Sequence, residues 1–226
     1  MTLPDSLLAF DSAGSACSAA VWRDGAVAAA RFEPMARGQS ERLVPMIEEV
    51  MAEAGLAYDA LDAIAVTRGP GGFTGVRIGL ATARGLALAS GRPVIGLTGF
   101  EAVAAAVDPG ERRGRPLAVL LDAKRREVYL QVFDAALSPL AAPCAVDPAD
   151  LAAALPPGPL LFAGDGLGVL GPLAEDQALS TVRQAEAARF LPFAATRPLP
   201  PAGAPPPQPL YLRAPDVTLP GDRSRP

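Results

Sequence analysis

Asp11 and Asp122 are the carboxylates best placed to do chemistry. Each closes an apolar run, Leu7-Leu8-Ala9-Phe10 in the first half of the chain and Leu117 to Leu121 in the second. A carboxylate at the end of a buried strand can hold a Mg²⁺-bound water or take up a proton. The same position suits an aspartate that only shapes a turn. Asp165, between Gly164 and Gly166, faces the same choice between a phosphate or ribose contact and a plain turn. The other stretch with chemical character is Arg68-Gly69-Pro70-Gly71-Gly72-Phe73-Thr74-Gly75-Val76-Arg77-Ile78-Gly79. It follows the apolar run Ile64-Ala65-Val66 and opens a helix of small residues, with Thr74 placed as its cap. Free N–H groups at a helix start, flanked by Arg68 and Arg77 and approached over Gly71 and Gly72, can hold an anion; a tight turn needs the same glycines.

Residue types rule out several familiar chemistries. A P-loop needs Lys and then Ser or Thr after its last glycine, and Gly75 is followed by Val76-Arg77. A dinucleotide fingerprint needs glycine three residues after Gly71, where Thr74 stands. The chain has no histidine, which removes Ser-His-Asp and Cys-His hydrolases, His-ligated zinc and the zinc or triad peptidases. Cys17 and Cys144 lack the spacing of a metal site and read as small core thiols of a reducing compartment. A net charge of −4 gives no broad basic face for unaided nucleic-acid binding. The start of the chain lacks the pattern of a signal peptide, so a cytoplasmic location is expected.

The elements that must position these residues follow from periodicity. The order is strand to Asp11, strands at about Cys17–Trp22 and Ala26–Phe32, and a helix from a Ser40 cap to Ala54 with Leu43, Met46, Ile47, Val50 and Met51 on one face. A strand at Asp62–Thr67, the glycine turn, the small-residue helix to Ser90 and a strand at Pro93–Leu97 complete a mixed sheet with helices on its faces. A helix from Gly99 to Ala106 and the polar segment 108–114 then mark a boundary. The pattern restarts with the strand to Asp122, hairpin strands at Glu127–Phe133 and Leu140–Val146, a short helix near Asp150–Leu155 and a strand at Leu160–Ala163. Asp11 matches Asp122 in this duplication. Eleven prolines from Pro192 onward turn the chain toward extended, polyproline-like structure, with Leu210-Tyr211-Leu212 as an apolar island that docks and the end from about Gly221 disordered.

The small-residue helix carries two adjacent bare strips, Gly75-Gly79-Ala83-Ala87 and Ala81-Gly85-Ala89. Interior glycines each cost about 1 kcal/mol relative to alanine, so a close-packed neighbour is required. Arg77 and Arg84 within the run argue against a membrane-spanning pair. The neighbour is either the protein's own sheet or another subunit.

A duplicated mixed sheet with an aspartate ending each first strand is also the pattern of actin-like phosphotransferases, in which the carboxylates face a nucleotide cleft. More specifically, Leu8-Ala9-Phe10-Asp11, Cys17-Ser18-Ala19-Ala20, Gly38-Gln39-Ser40-Glu41-Arg42-Leu43, the Arg68-to-Gly79 block, Asp122-Ala123-Lys124-Arg125-Arg126-Glu127-Val128-Tyr129, Gly164-Asp165-Gly166 and Tyr211-Leu212-Arg213 together resemble the TsaB (YeaZ) family. The resemblance covers about residues 6–215. It implies an α/β actin-like ATPase (ASKHA) fold of two related mixed-sheet domains, 1–107 and a reduced 108–197, followed by a proline-rich tail at 198–226 partly docked near Tyr211. It implies a non-catalytic scaffold for tRNA threonylcarbamoyladenosine (t6A) modification, bound to the transferase TsaD and working with the ATPase TsaE. The chain would reach tRNA only through that complex, form a homodimer when TsaD is absent, and have no membrane contact.

TsaD holds its metal with two histidines on its first helix, and this chain has none. Gln39 stands where the family often has histidine, so no metal, cofactor or catalytic residue is expected. By resemblance the partner meets the two helices through Leu43, Ile47, Val50, Gly75, Ile78, Gly79, Thr82, Ala83 and Leu86. Asp11, Arg68, Gly71, Gly72, Thr74 and Arg77 are the candidate nucleotide or anion contacts. The enzyme alternative is a small actin-like ATPase or kinase using Asp11 and Asp122.

Overall fold

The computed structural model describes residues 3–201 and 203–213. The apolar run ending at Asp11 forms β1 (Ser6–Asp11), which turns back into β2 (Ala16–Arg23) and β3 (Ala26–Pro34). After α1 (Gln39–Ala54), the chain returns to lay β4 (Ala63–Thr67) parallel to β1. It then passes through α2 (Phe73–Ser90) to β5 (Val94–Leu97), parallel to β4. The helices α3 (Gly99–Ala106) and α4 (Pro109–Arg112) lead to a second set of strands: β6 (Leu117–Asp122), β7 (Val128–Phe133), β8 (Cys144–Val146), then α5 (Leu151–Ala154), β9 (Leu161–Ala163) and β10 (Ala178–Leu179). The last helix is α6 (Ala187–Ala195).

The two five-stranded sheets have the same order, β3-β2-β1-β4-β5 and β8-β7-β6-β9-β10. In each, the first strand pairs antiparallel with the second and parallel with the fourth, so the duplication extends to pairing direction. This is the α/β actin-like (ASKHA) fold.

Because side chains alternate along a strand, each central strand feeds two layers. Leu8, Phe10, Ile64 and Val66 face α1 and α2, while Leu7, Ala9, Ala63 and Ala65 face the layer that contains α3 and α6. That middle layer also takes Leu117, Val119 and Leu121 of the second sheet, so both sheets pack on one shared core. Leu120, Val128 and Leu130 form a third cluster with Leu151 and Phe162 on the far side of the second sheet. Burial on both faces explains why the strands read as nearly continuous apolar runs. Among the described residues, no helix is long and apolar enough to cross a membrane.

Local expectations are corrected at several places. Neither Ser40 nor Thr74 caps its helix. Gly38, in the left-handed region at φ 99°, precedes α1, and Gly72 precedes α2, each without a side-chain cap. The Ser40 hydroxyl instead donates to Glu41. The expected strand at Leu140–Val146 shrinks to Cys144–Val146, because Pro143 has no N–H to give to the ladder. α6 begins at Ala187 and runs past Pro192 into the region read as losing regular structure; its buried face of Ala187, Phe190, Leu191 and Ala194 stabilises it. Within the Leu210-Tyr211-Leu212 island, Tyr211 lies against the start of α2 and Leu212 packs at the edge of the middle layer. The expectation of disorder from Gly221 lies outside the described residues.

Candidate functional site

The duplication brings Asp11 and Asp122 to one cleft between the ends of the two sheets, with Asp165, Lys124, Gly71, Gly72 and Gln184 also on its wall. Both aspartates make the same local bond. Asp11 Oδ1 accepts from the N–H of Ala13 at 3.3 Å, and Asp122 Oδ1 from that of Lys124 at 2.7 Å, each two residues on, which is the bond of an Asx turn. Asp11 is almost fully buried, and Thr67 donates its hydroxyl to it. Burial pushes the Asp11 carboxyl up to about 6, against the lowering effect of the Thr67 and backbone bonds. Asp122 is more open. Burial works to raise it, but the Lys124 ammonium at 2.9 Å and the Lys124 N–H together hold it below the usual carboxylate range. Asp165 accepts from the Asp122 N–H at 2.9 Å and is raised, chiefly by burial. The carboxylates are thus committed to turns and to one another's backbone. The cavity beside them is about 40 Å³, room for a water or two, whereas small-molecule sites run to about 300–1,000 Å³. Among the described residues, no three metal-ligating side chains gather.

The glycine turn is spent in the same way. A Cβ on Gly75 would stand 2.0 Å from the Ser12 carbonyl oxygen, and one on Gly71 would stand 2.5 Å from that of Ala13. The Gly72 N–H donates to Ala13 O at 2.8 Å, so one of the N–H groups expected to face an anion is used inside the protein. Gly69, at φ 95°, lets the tail pass: its own Cβ would meet Leu210 O at 2.9 Å. The Arg68 carbonyl accepts from the Leu210 N–H at 2.7 Å. Arg77 lies 3.7 Å above the Phe73 ring and donates to the Tyr211 hydroxyl at 3.2 Å. Thr74 is exposed. Gln39 gains a role here: its amide donates to Gly14 O at 3.4 Å and Met35 O at 3.3 Å, tying the start of α1 to the β1–β2 turn.

The two bare strips of α2 serve different neighbours. Gly75, Gly79 and Ala83 face inward, with a Gly79 Cβ only 3.0 Å from Ser12 Oγ, so the protein's own sheet is the reason for that strip. Leu43, Ile47 and Val50 of α1 are likewise fully buried in the chain's own core. Five of these six are buried inside the chain and Gly75 is half-buried against the Ser12 carbonyl, so the outward side of the two helices is made by other residues. Ile78 and Leu86 are partly buried at the edge of that core, and Thr82 is half-buried. The second strip points outward. Nothing lies within 4 Å of a Cβ built on Gly85, Ala81 and Ala89 are exposed, and Leu88 beside them is 89% exposed. On α1, Val44 is 47% exposed and Pro45 is also open. The sequence signal for this face was available. Leu88 and Val44 fall out of phase with the core stripes Val76-Leu80-Ala83 and Leu43-Met46-Ile47-Val50.

Charge frames the apolar patch. Arg42 bridges Glu33 and Glu49 at 2.6 and 2.7 Å, and Arg31 pairs with Glu53 at 2.6 Å. Arg77 and Arg84 line the opposite border on α2, both engaged by the tail: Arg84 donates to Pro207 O at 3.0 Å. The result is an exposed surface of small and apolar residues on the outward side of α1 and α2.

Residues 33–179 match a family model described as TsaD: tRNA N6-adenosine threonylcarbamoyltransferase. The chain is 41% identical over 123 residues to the tRNA threonylcarbamoyladenosine biosynthesis protein TsaB of Escherichia coli, a match covering 54% of this chain. It spans about half of that relative's length, 52%. Two solved structures from Pseudomonas aeruginosa cover more. One, described as a protein with similarity to peptidase YEAZ, superposes with a TM-score of 0.80 at 30% identity over 92% of this chain and 100% of its own. The other, YeaZ, gives 0.75 at 31% identity over 84% and 90%.

Proposed function

The chain belongs to the TsaB (YeaZ) family, and from that membership we propose that it takes part in t6A modification of tRNA as a non-catalytic subunit that binds and supports a TsaD-type threonylcarbamoyltransferase. The observation that carries this reading is the outward strip of α2. A helix displaying Ala81, Gly85 and Ala89 beside an exposed Leu88 is built for another backbone to come close, and inside this chain nothing does. A relative of TsaD is the fitting occupant because the transferase family itself matches this chain, so the partner carries the same helix pair and the two can meet helix pair to helix pair. In this reading the contact surface is Val44, Pro45, Ala81, Gly85 and Leu88, with Ile78, Thr82 and Leu86 at its edge. The same surface pairs two copies of this chain when the transferase is absent. TsaE and tRNA join through the transferase, and the work is cytoplasmic.

The test is an omission assay. tRNA, threonine, bicarbonate, ATP, the transferase and the remaining synthesis proteins are combined with and without this chain, and nucleosides are scored by mass spectrometry. Modified adenosine that forms only when the chain is present supports the reading. Equal product without it, or rapid ATP hydrolysis by the chain alone, overturns it in favour of the actin-like ATPase alternative.

A further inference from the structure

The tail is fixed to α2 at points that share one side of the helix. Phe73, Arg77 and Arg84 lie at spacings that place them in one row, next to the row of Ala81, Gly85 and Leu88. Tyr211 stacks on Phe73 with ring centroids 5.7 Å apart, and its hydroxyl accepts from Arg77. Pro207 offers its carbonyl to Arg84 and is seated on the edge strand β5, where a Cβ on Gly96 would be 2.6 Å from the Pro207 ring. The backbone of Leu210 is tied to Arg68. Proline gives this segment no N–H of its own to satisfy at these positions and leaves its carbonyls free to accept.

Two long cationic side chains beside a bare strip are an obstacle. Arg77 and Arg84 sit four residues before and three residues after Ala81, within reach of the strip. Unrestrained, they would sweep over it, and an approaching apolar helix would have to bury guanidinium groups without partners. We propose that the tail acts as a restraint that draws Arg77 and Arg84 aside and gives each an acceptor, keeping the α2 strip clear for the protein partner. The inference rests on the partner surface proposed above and adds to it a specificity element that does not itself touch the partner.

The experiment is isothermal titration of the full chain with the threonylcarbamoyltransferase, alongside thermal unfolding of each variant. Tyr211→Ala removes both the stack and the acceptor for Arg77; the expected result is roughly tenfold weaker binding with little change in melting temperature. Tyr211→Phe keeps the ring and loses only the acceptor, giving an intermediate loss of roughly threefold and covering the case in which the alanine variant folds poorly. The decisive variant combines Tyr211→Ala with Arg77→Ala. With no arginine to restrain, binding should return to within about threefold of the original. Failure of that rescue would mean that the tail contacts the partner directly, and unchanged binding by Tyr211→Ala would mean that the restraint does nothing; either overturns the inference while leaving the partner surface standing. No binding by the unmodified chain sinks the partner surface, and this inference with it.

Discussion

Replacing Gly75 and Gly85 by alanine, one at a time, should move stability in opposite directions, although both glycines lie in the same helix. Helix propensity alone favours alanine over an interior glycine by about 1 kcal/mol. At Gly85 nothing opposes that gain, because the new Cβ meets no atom within 4 Å. At Gly75 the new Cβ would lie 2.0 Å from the Ser12 carbonyl oxygen and 3.1 Å from its carbon, both backbone atoms held by the β1–β2 turn. Overpacking against fixed backbone atoms costs up to about 3 kcal/mol, so after the propensity gain a net loss of about 2 kcal/mol is expected. For a chain of this size each kcal/mol moves the midpoint by about 2–4 °C. Differential scanning calorimetry should therefore show Gly85→Ala melting about 2–4 °C higher and Gly75→Ala about 4–8 °C lower than the parent. A Gly75→Ala variant as stable as the parent would refute the claim that this strip is packed against the protein's own turn.

Gly85→Leu should fold normally yet lose association with the transferase by at least tenfold, read by titration, because the added side chain stands on the outward strip. Asp11 should make stability depend on pH. Its carboxyl titrates at about 6 when folded against an ordinary 3.8, so ionising it opposes folding: the penalty is absent below about pH 4 and complete above about pH 6. Two units correspond to about 3 kcal/mol, so the advantage of Asp11→Asn in urea unfolding should grow by up to that amount between about pH 4 and about pH 7. Ser18→Ala should cost about 1–3 kcal/mol by chemical denaturation, since the buried Ser18 hydroxyl accepts from the Ala187 N–H at 3.0 Å and nothing replaces it.

The parts legible in the sequence were those decided locally. The apolar run Leu7-Leu8-Ala9-Phe10, the restart at Leu117 and the helix after the glycine turn all follow from apolar spacing, and the structure repeats them. Caps were less legible: Thr74 has the right chemistry, but α2 already starts at Phe73, with the Val76 N–H donating to Gly72 O, which leaves Thr74 inside the first turn. The Gly-Ala periodicity of α2 announced two bare strips without saying which faced inward, because that depends on where Ser12 and Val66 sit in space. α6 was hidden by Pro192, whose penalty is outweighed by contacts with α3 and with first-sheet residues more than 150 positions earlier. The apolar island around Tyr211 is visible in the sequence, whereas its bond to Arg77 is not. A repeated setting pairs Asp11 with Asp122, and it took the geometry to show that both close turns beside a cavity of about 40 Å³.

The seating of α6 on the first sheet also sets an order of events during synthesis. β5 ends at Leu97 and α6 starts at Ala187, so about 90 residues must be translated after the first sheet is complete before its inner face receives its last covering helix. At about 5–20 residues per second that is roughly 5–20 s, during which the layer containing Leu7, Ala9 and Ala20 has only α3 and the emerging second sheet to cover it. A ribosome paused between the two halves would therefore hold out an adhesive half-protein, and slow codons in that interval should lower the soluble yield even though no residue changes.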